Sequence, residues 1–339
     1  MEPQKLKINI GLMGLGNIGV GTYKTLEMNG GYIEKTTGLS LEITKILEKD
    51  VARERDITVS PEQFIQNPDD IFDDPDIDVV IELFGGIEPA TSLMLSAMKK
   101  GKHVVTANKA AVAAGYETLT SAAENAGVMF RFEAAVGGGI PIINAITSSL
   151  SANRYEEIMG ILNGTTNYIL TKMTQDGNTY ECALKEAQAK GFAEADPSGD
   201  VNGEDVANKL SILMSLVFGK RILPGDIPTK GIAEITENDI AEAEAEGCVI
   251  KLLASAWEKD GKVSCFIQPT LLNKVHPLAS VNNEFNAIFL KGNAVGDVML
   301  YGKGAGPLPT GSAVIGDVIE IGRSIAKNAA WDIKEAHGK

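Results

Sequence analysis

The chain reads as an α/β domain on a parallel sheet followed by an α+β domain. Three observations predict this. Over the first 135 residues, short apolar strand-like runs alternate with helical runs, the rhythm of a parallel sheet with right-handed crossovers. After "VGGGIPI" (136–142) helices lengthen, and later strand-like runs follow one another without regular helices between them. At 339 residues and 44% hydrophobic content, the chain has the length for two domains and can bury a substantial core.

The elements follow in order. Residues 6–13 read as a buried strand, and "GLGNIGVGTYKTL" after it opens a helical pattern. Strands are expected at 41–47 ("LEITKIL") and 78–84 ("DVVIELF"), with a helix over 89–100 between the latter and "GKHVVTANK", which reads as strand then loop. "ETLTSAAENAG" is helical and stops at Gly127, and "VMFRFEAAV" reads as a strand. Beyond 142, helices are expected at 180–190 and 203–218, and the acidic run 239–246 reads as an exposed helix face. "KVSCFIQPTLL" and "FNAIFLKG" read as strands, Cys182 and Cys248 as helical residues. The expected division is 1–135, joined by the C-terminal segment 305–339, and 136–304.

Composition excludes several classes. A formal charge of −14 opposes a nucleic-acid partner, whose phosphates need a basic face, and opposes a polybasic membrane patch. The three cysteines and three histidines are dispersed, without C-x-x-C, so neither a disulfide framework nor a zinc knuckle is suggested. No apolar run reaches membrane-spanning length, and a strand-like run begins almost at Met1; a cytoplasmic protein is expected.

"GLGNIG" places Gly14, Gly16 and Gly19 in G-x-G-x-x-G spacing directly after a strand and at the start of a helix. Such glycines allow a tight turn, approach of a pyrophosphate to the backbone, and close helix packing, while the helix N-terminus offers N–H groups to the phosphates. This predicts a Rossmann-like nucleotide-binding domain. The second strand ends in "ILEKD", where an acid would bond the ribose 2′-OH of NAD and a base would meet the 2′-phosphate of NADP. Glu48, Lys49 and Asp50 are adjacent there and Arg53 and Arg55 follow, so the choice stays open. Lys109, in "VVTANKAAV", follows a strand of the same domain, at the end where ligands of such sheets bind.

"QAKGFAEADPSGDVNGEDVANKLSIL" (188–213) sets carboxylates beside lysines on the way into an apolar run. "DPSGDVNG" is turn chemistry, and from Glu204 the apolar positions Val206, Leu210, Leu213 and Val217 take helical spacing. Asp205 and Lys209 stand at i and i+4, on one helix face that continues through Ile212 and Leu216. A solvated ion pair would be worth about 0.3–0.5 kcal/mol. A lysine on a half-buried face beside a carboxylate can instead hold a proton and deliver it in a fixed direction.

Taken together, "GLGNIGVG", "TANKAAVA", "EAAVGGGIPI", "LNGTTNYIL", the acid–lysine segment, "HPLASVNNEFNAI" and "YGKGAGPLPTGSAVIGD" resemble homoserine dehydrogenase in order and over nearly the whole chain. The resemblance implies NAD(P)-dependent interconversion of L-homoserine and L-aspartate 4-semialdehyde, in threonine and methionine biosynthesis. It implies Lys209 as proton donor, Lys109 as a lysine near cofactor and substrate, and Asp205 beside the reacting hydroxyl. Glu194 would hold the substrate ammonium, Asp200 would support the acidic wall, and Gly164 and Thr165 would lie near the bound amino acid. Gly14, Gly16, Asn17, Ile18, Gly19, Gly85, Lys109 and Gly306 would surround the dinucleotide. Glu133 and the carbonyls of Val136, Gly138 and Ile140 resemble a monovalent-cation (Na+) loop. The second domain would bind substrate and carry a homodimer contact, with "FNAIFL" as one candidate strand. Phe192 stands where some members have tyrosine. The chain stops soon after "VIGDVIEIGRSIAKNAAWDIKEAHGK", so neither an appended regulatory domain nor a fused kinase is expected. A dinucleotide-sensing regulatory protein is the alternative; it would explain the glycine turn and leave the acid–lysine segment unexplained.

Overall fold

A computed structural model describes residues 6–337, with side chains through Lys327. The chain divides into two compact units: Met1–Ala135 with Gly306–Lys339, and Val136–Ala305.

The first unit carries a six-stranded sheet in the order β3-β2-β1-β4-β5-β6, parallel throughout. Its strands are β1 (Leu6–Met13), β2 (Leu39–Leu47), β3 (Phe64–Ile65), β4 (Val79–Glu82), β5 (His103–Thr106) and β6 (Phe130–Arg131). Between them run α1 (Asn17–Thr37), α2 (Asp69–Phe72), α3 (Ala90–Lys99) and α4 (Lys109–Ala126). β1 is central: Ile8, Ile10 and Leu12 on one face and Gly11 and Met13 on the other are buried, as a strand covered on both faces requires. Chain order reverses at β1, with β2 on one side and β4 on the other, the switch point where ligands bind in such sheets. α4 stops at Gly127, which takes the left-handed cap conformation at φ 67°. "VMFRFEAAV" forms only the two-residue β6 before a 3₁₀ turn, Glu133–Ala135.

The C-terminal helix, Pro307–His337, completes this unit. Its Val314, Val318 and Ile321 join the cluster built by β1, β2, β4 and β5. A Cβ on Gly21 of α1 would overlap the Pro307 backbone, and one on Gly311 would come within 2.7 Å of Gly21. The two helices therefore meet backbone to backbone, which bare positions alone permit.

The second unit carries a five-stranded antiparallel sheet, β11-β10-β7-β8-β9. Before it, α5 (Ile142–Asn144) runs into a π-helical turn. β7 (Tyr155–Ile161) leads to α6 (Gly164–Asp176), α7 (Tyr180–Ala189), α8 (Ser198–Val201), α9 (Glu204–Phe218) and α10 (Glu237–Ala245). Then come β8 (Cys248–Lys259), β9 (Lys262–Asn273), β10 (Phe285–Gly292) and β11 (Gly296–Lys303). Helices α6, α9 and α10 pack against β8. Ile161, Leu253, Leu272, Leu278, Val281, Ala287 and Phe289 form one of its cores.

Cys248 opens β8 and is not helical, because the apolar run Ile250–Ala256 is buried as a continuous central strand. The candidate dimer strand "FNAIFL" is β10, which pairs on both sides and is mostly buried; the sheet edges are β11 and β9. Among the described residues no helix is long and apolar enough to cross a membrane.

Candidate active site

In the first unit the glycine turn joins β1 to α1. Gly14 adopts φ +99°, a left-handed conformation that costs a side chain, and a Cβ on Gly19 would overlap the Gly14 carbonyl. Gly16 faces open space and is the N-cap of α1. It supplies no side-chain cap, and no acid stands in the first turn, so side chains leave the N–H end at Asn17, Ile18 and Gly19 to a ligand. These residues fit a pyrophosphate.

The residues after β2 turn toward this loop. Glu48 Oε2 accepts the Leu15 N–H at 2.9 Å, and Oε1 accepts the Asp50 N–H at 3.0 Å. Burial pulls the Glu48 carboxyl up, but the N–H groups of Asp50, Leu15 and Lys49 and the Arg55 cation outweigh it and hold it below its ordinary value. Arg55 folds over: its Nε donates to the Leu15 carbonyl at 2.9 Å, and Lys49 and Arg53 stay exposed.

A buried network shapes the loop after β4. Glu82, fully buried, accepts from the Phe84 N–H and from the Thr106 hydroxyl, each at 2.6 Å. Burial raises its pKa against those hydrogen bonds. Asn108 donates to the Gly86 carbonyl at 2.7 Å and caps α4 by accepting the Ala111 N–H at 3.0 Å. Gly85 lies exposed in this loop, and Lys109 follows Asn108 as the first residue of α4, half-buried. Gly306, at φ +113°, precedes Pro307 and so enters beside the second turn of α1.

In the second unit, β7 runs out at Ile161 into Leu162 and Asn163, and α9 brings up Asp205 and Lys209 one turn apart. Lys209 is 7% exposed; its ammonium donates to the Leu162 carbonyl at 2.6 Å and to Asp205 Oδ2 at 2.7 Å. The Asn163 amide donates to Asp205 Oδ2 at 2.9 Å and to Asp200 Oδ1 at 2.7 Å. Thr165 gives its hydroxyl to the Phe192 carbonyl at 2.6 Å and approaches Asp200 Oδ2 at 3.1 Å. The Asp200 pKa is raised, by burial first and by the Asp205 charge second, against Asn163, Thr165 and Lys209. The structure thus joins Lys209, Asp205, Asp200 and Thr165. Gly164 opens α6 where a Cβ would stand 2.7 Å from the Glu284 carbonyl. Glu194 is exposed, outside this bonded cluster.

Sequence reasoning missed Asn163, whose signal was its place as an Asn cap before the "GTTN" helix start. It also missed the Glu82–Thr106–Asn108 network.

For the cation loop, Glu133 is 4% exposed, and its N–H donates to Asp317 Oδ2 at 2.9 Å. Separately, Val136 and Ile140 are buried, Gly138 takes φ +55°, and the Ile140 carbonyl already accepts the Ile142 N–H at 2.8 Å. Among the described residues no group of three or more His, Cys, Asp or Glu gathers as a metal site, which leaves carbonyl oxygens as the main donors.

Comparison with known proteins agrees with both halves. Residues 14–133 match the model for the homoserine dehydrogenase NAD-binding domain, and 141–319 match the homoserine dehydrogenase model. The Bacillus subtilis homoserine dehydrogenase is 44% identical over 93% of this chain and 72% of its own length. The crystal structure of a homoserine dehydrogenase from Thiobacillus denitrificans superimposes with a TM-score of 0.89 at 40% identity, over 95% of this chain and 74% of that one. A hyperthermophilic archaeal homoserine dehydrogenase mutant, solved in complex with NADPH, is 25% identical with a TM-score of 0.78, over 93% and 98%. The chain belongs to the homoserine dehydrogenase family, NAD(P)-dependent oxidoreductases that act on the CH–OH group of homoserine.

Proposed function

We propose that Lys209 is the proton donor in reduction of aspartate 4-semialdehyde and the proton acceptor in oxidation of homoserine. The observation that carries this is the buried Lys209 ammonium held by Asp205 at 2.7 Å and the Leu162 carbonyl at 2.6 Å. When bound at the glycine turn, the nicotinamide cofactor supplies or accepts the hydride. As a carbonyl carbon gains hydride, its oxygen gains negative charge; an ammonium beside it stabilises that charge and then transfers a proton. Asp205 pairs with Lys209 and aims it, and Asn163 holds Asp205 against Asp200. Glu194, Asp200 and Asp205 supply the negative charge that the amino group of the substrate calls for.

Lys109 is the second cation of the reaction. A lysine at the first position of a helix opposes the macrodipole, a loss of about 0.3–1 kcal/mol, so helix stability does not account for it. Gly85 and Gly306 line the dinucleotide beside Gly14–Gly19. The 133–140 segment takes a monovalent cation, since carbonyl and carboxylate oxygens suit a hard ion; activity that follows Na+ and is lost on Glu133→Ala would support it. The protein works as a cytoplasmic homodimer. Exposed Met299 and Tyr301 on the edge strand β11 support a subunit contact there, which sedimentation of wild type and Tyr301→Asp tests.

The deciding experiment compares wild type, Lys209→Ala and Glu194→Ala. Lys209→Ala is expected to lower kcat by about 10²–10⁴ while NAD(P)H affinity holds. Glu194→Ala is expected to raise KM for homoserine more than it lowers kcat. Near-normal turnover in Lys209→Ala would remove the proton-donor role.

A further inference from the structure

We propose that Glu48 makes the nucleotide site selective for NAD(H), by accepting the adenosine ribose 2′-OH and repelling the 2′-phosphate of NADP(H). This rests on the glycine turn being the dinucleotide site and goes on to choose between its two cofactors. The family fold does not make the choice by itself, since the archaeal homologue was crystallised with NADPH.

Position comes first. Glu48 is the residue after β2, the strand beside β1, where an acid in this fold meets the ribose 2′-OH. Orientation comes second. Its Oε2 takes the N–H of Leu15, the residue between Gly14 and Gly16, so the carboxylate is pinned to the turn that would cradle the pyrophosphate. A carboxylate offers about four lone-pair sites; the Leu15 and Asp50 N–H groups take one on each oxygen and the Lys49 N–H also contributes, which leaves a site for a hydroxyl.

The nearby cation that could reverse the choice is committed elsewhere. Arg55 donates from Nε to the Leu15 carbonyl at 2.9 Å, from Nη1 to the Arg53 carbonyl at 2.8 Å and from Nη2 to the Asp50 carbonyl at 2.8 Å. Its Nη2 also stands 3.4 Å from Glu48 Oε2, and its side chain is 6% exposed. Arg55 is a brace that ties the 50–55 loop to the glycine turn. A phosphate fork needs two parallel donors facing the ligand, and this geometry spends them on carbonyls. Lys49 and Arg53 are exposed and reach the region only as solvated side chains.

The test is direct titration of wild type, Glu48→Gln and Arg55→Ala with NADH and NADPH, followed by reduced-nicotinamide fluorescence, with kcat/KM in parallel. Wild type is expected to bind NADH at least tenfold tighter than NADPH, with the gap narrowing in 0.5 M salt as the repulsion is screened. Glu48→Gln is expected to tighten NADPH about tenfold and weaken NADH a few-fold. Wild type binding NADPH as tightly as NADH would overturn the proposal, as would a loss confined to NADPH in Arg55→Ala. If neither nucleotide binds, the glycine-turn reading falls as well, an outcome distinct from equal binding of the two. The wild-type ratio needs no variant to fold.

Discussion

Asn163 carries two tasks on one side chain. Its carbonyl oxygen accepts the Thr166 N–H at 2.8 Å and caps α6, and its amide nitrogen bridges two acids. Serine would keep the cap and lose the bridge. Asn163→Ser is therefore expected to unfold within about 1 kcal/mol of wild type, since the two residues cap comparably, yet to lose most of kcat/KM. Asn163→Ala would lose both. Denaturant curves set beside initial rates separate the two roles; parallel losses of stability and activity in the serine variant would argue that the amide bridge is incidental. Asp205→Asn tests the same cluster from the other side. It leaves Lys209 without its charged partner, and kcat is expected to fall while NADH affinity stays put.

Among the elements, the α1 contact with the C-terminal helix is the most exacting. Alanine at Gly21 would push against the Pro307 backbone, which a side chain rotation cannot relieve. Gly21→Ala is expected to cost about 1–3 kcal/mol in chemical denaturation, the range for overpacking a tight contact; unchanged stability would show that the helices have room to separate. Gly16→Ala, where a Cβ finds open space, is the control for folding. The legibility of elements followed the same physics. β1, α1 and β2 could be read because a buried apolar run, glycine spacing and a helical period agree in one segment. β7 could not, because "YEEIMGI" interrupts its apolar positions with paired glutamates and a glycine. The ion pair Asp205–Lys209 was legible from i, i+4 spacing. Its coupling to Asp200 was not, because Asn163 is the cap before a different helix, 42 residues from Asp205 in sequence. The inward turn of Glu48 was equally hidden, since side-chain direction past a strand end follows the loop and not a period.

At the scale of the whole molecule, pH reaches the fold through Asp317. Its carboxyl is pushed up to about 8, by burial above all, with the Glu133 and Glu320 charges adding to it and the Glu133 N–H and Arg131 opposing. The folded state thus holds a proton that the unfolded chain, with an ordinary aspartate, releases near pH 4. This contribution is complete below pH 4 and is lost as pH rises toward 8. Asp317→Asn is expected to gain at least about 1 kcal/mol on wild type between pH 5 and pH 8. Thermal or urea unfolding at both values checks it, and an equal difference at the two would contradict the assignment. Removing residues 306–339 takes Val314, Val318 and Ile321 out of the first unit's core. Loss of NADH binding is the expected result, with retained binding arguing that the sheet needs no such cover.

That returning helix also sets a timetable for synthesis. A ribosome translates all of Val136–Ala305 between the first strand and the segment that seals its core. The growing chain must therefore carry an unfinished sheet while Val136–Ala305 is made, and the onset of dinucleotide capture would report that the returning helix has docked.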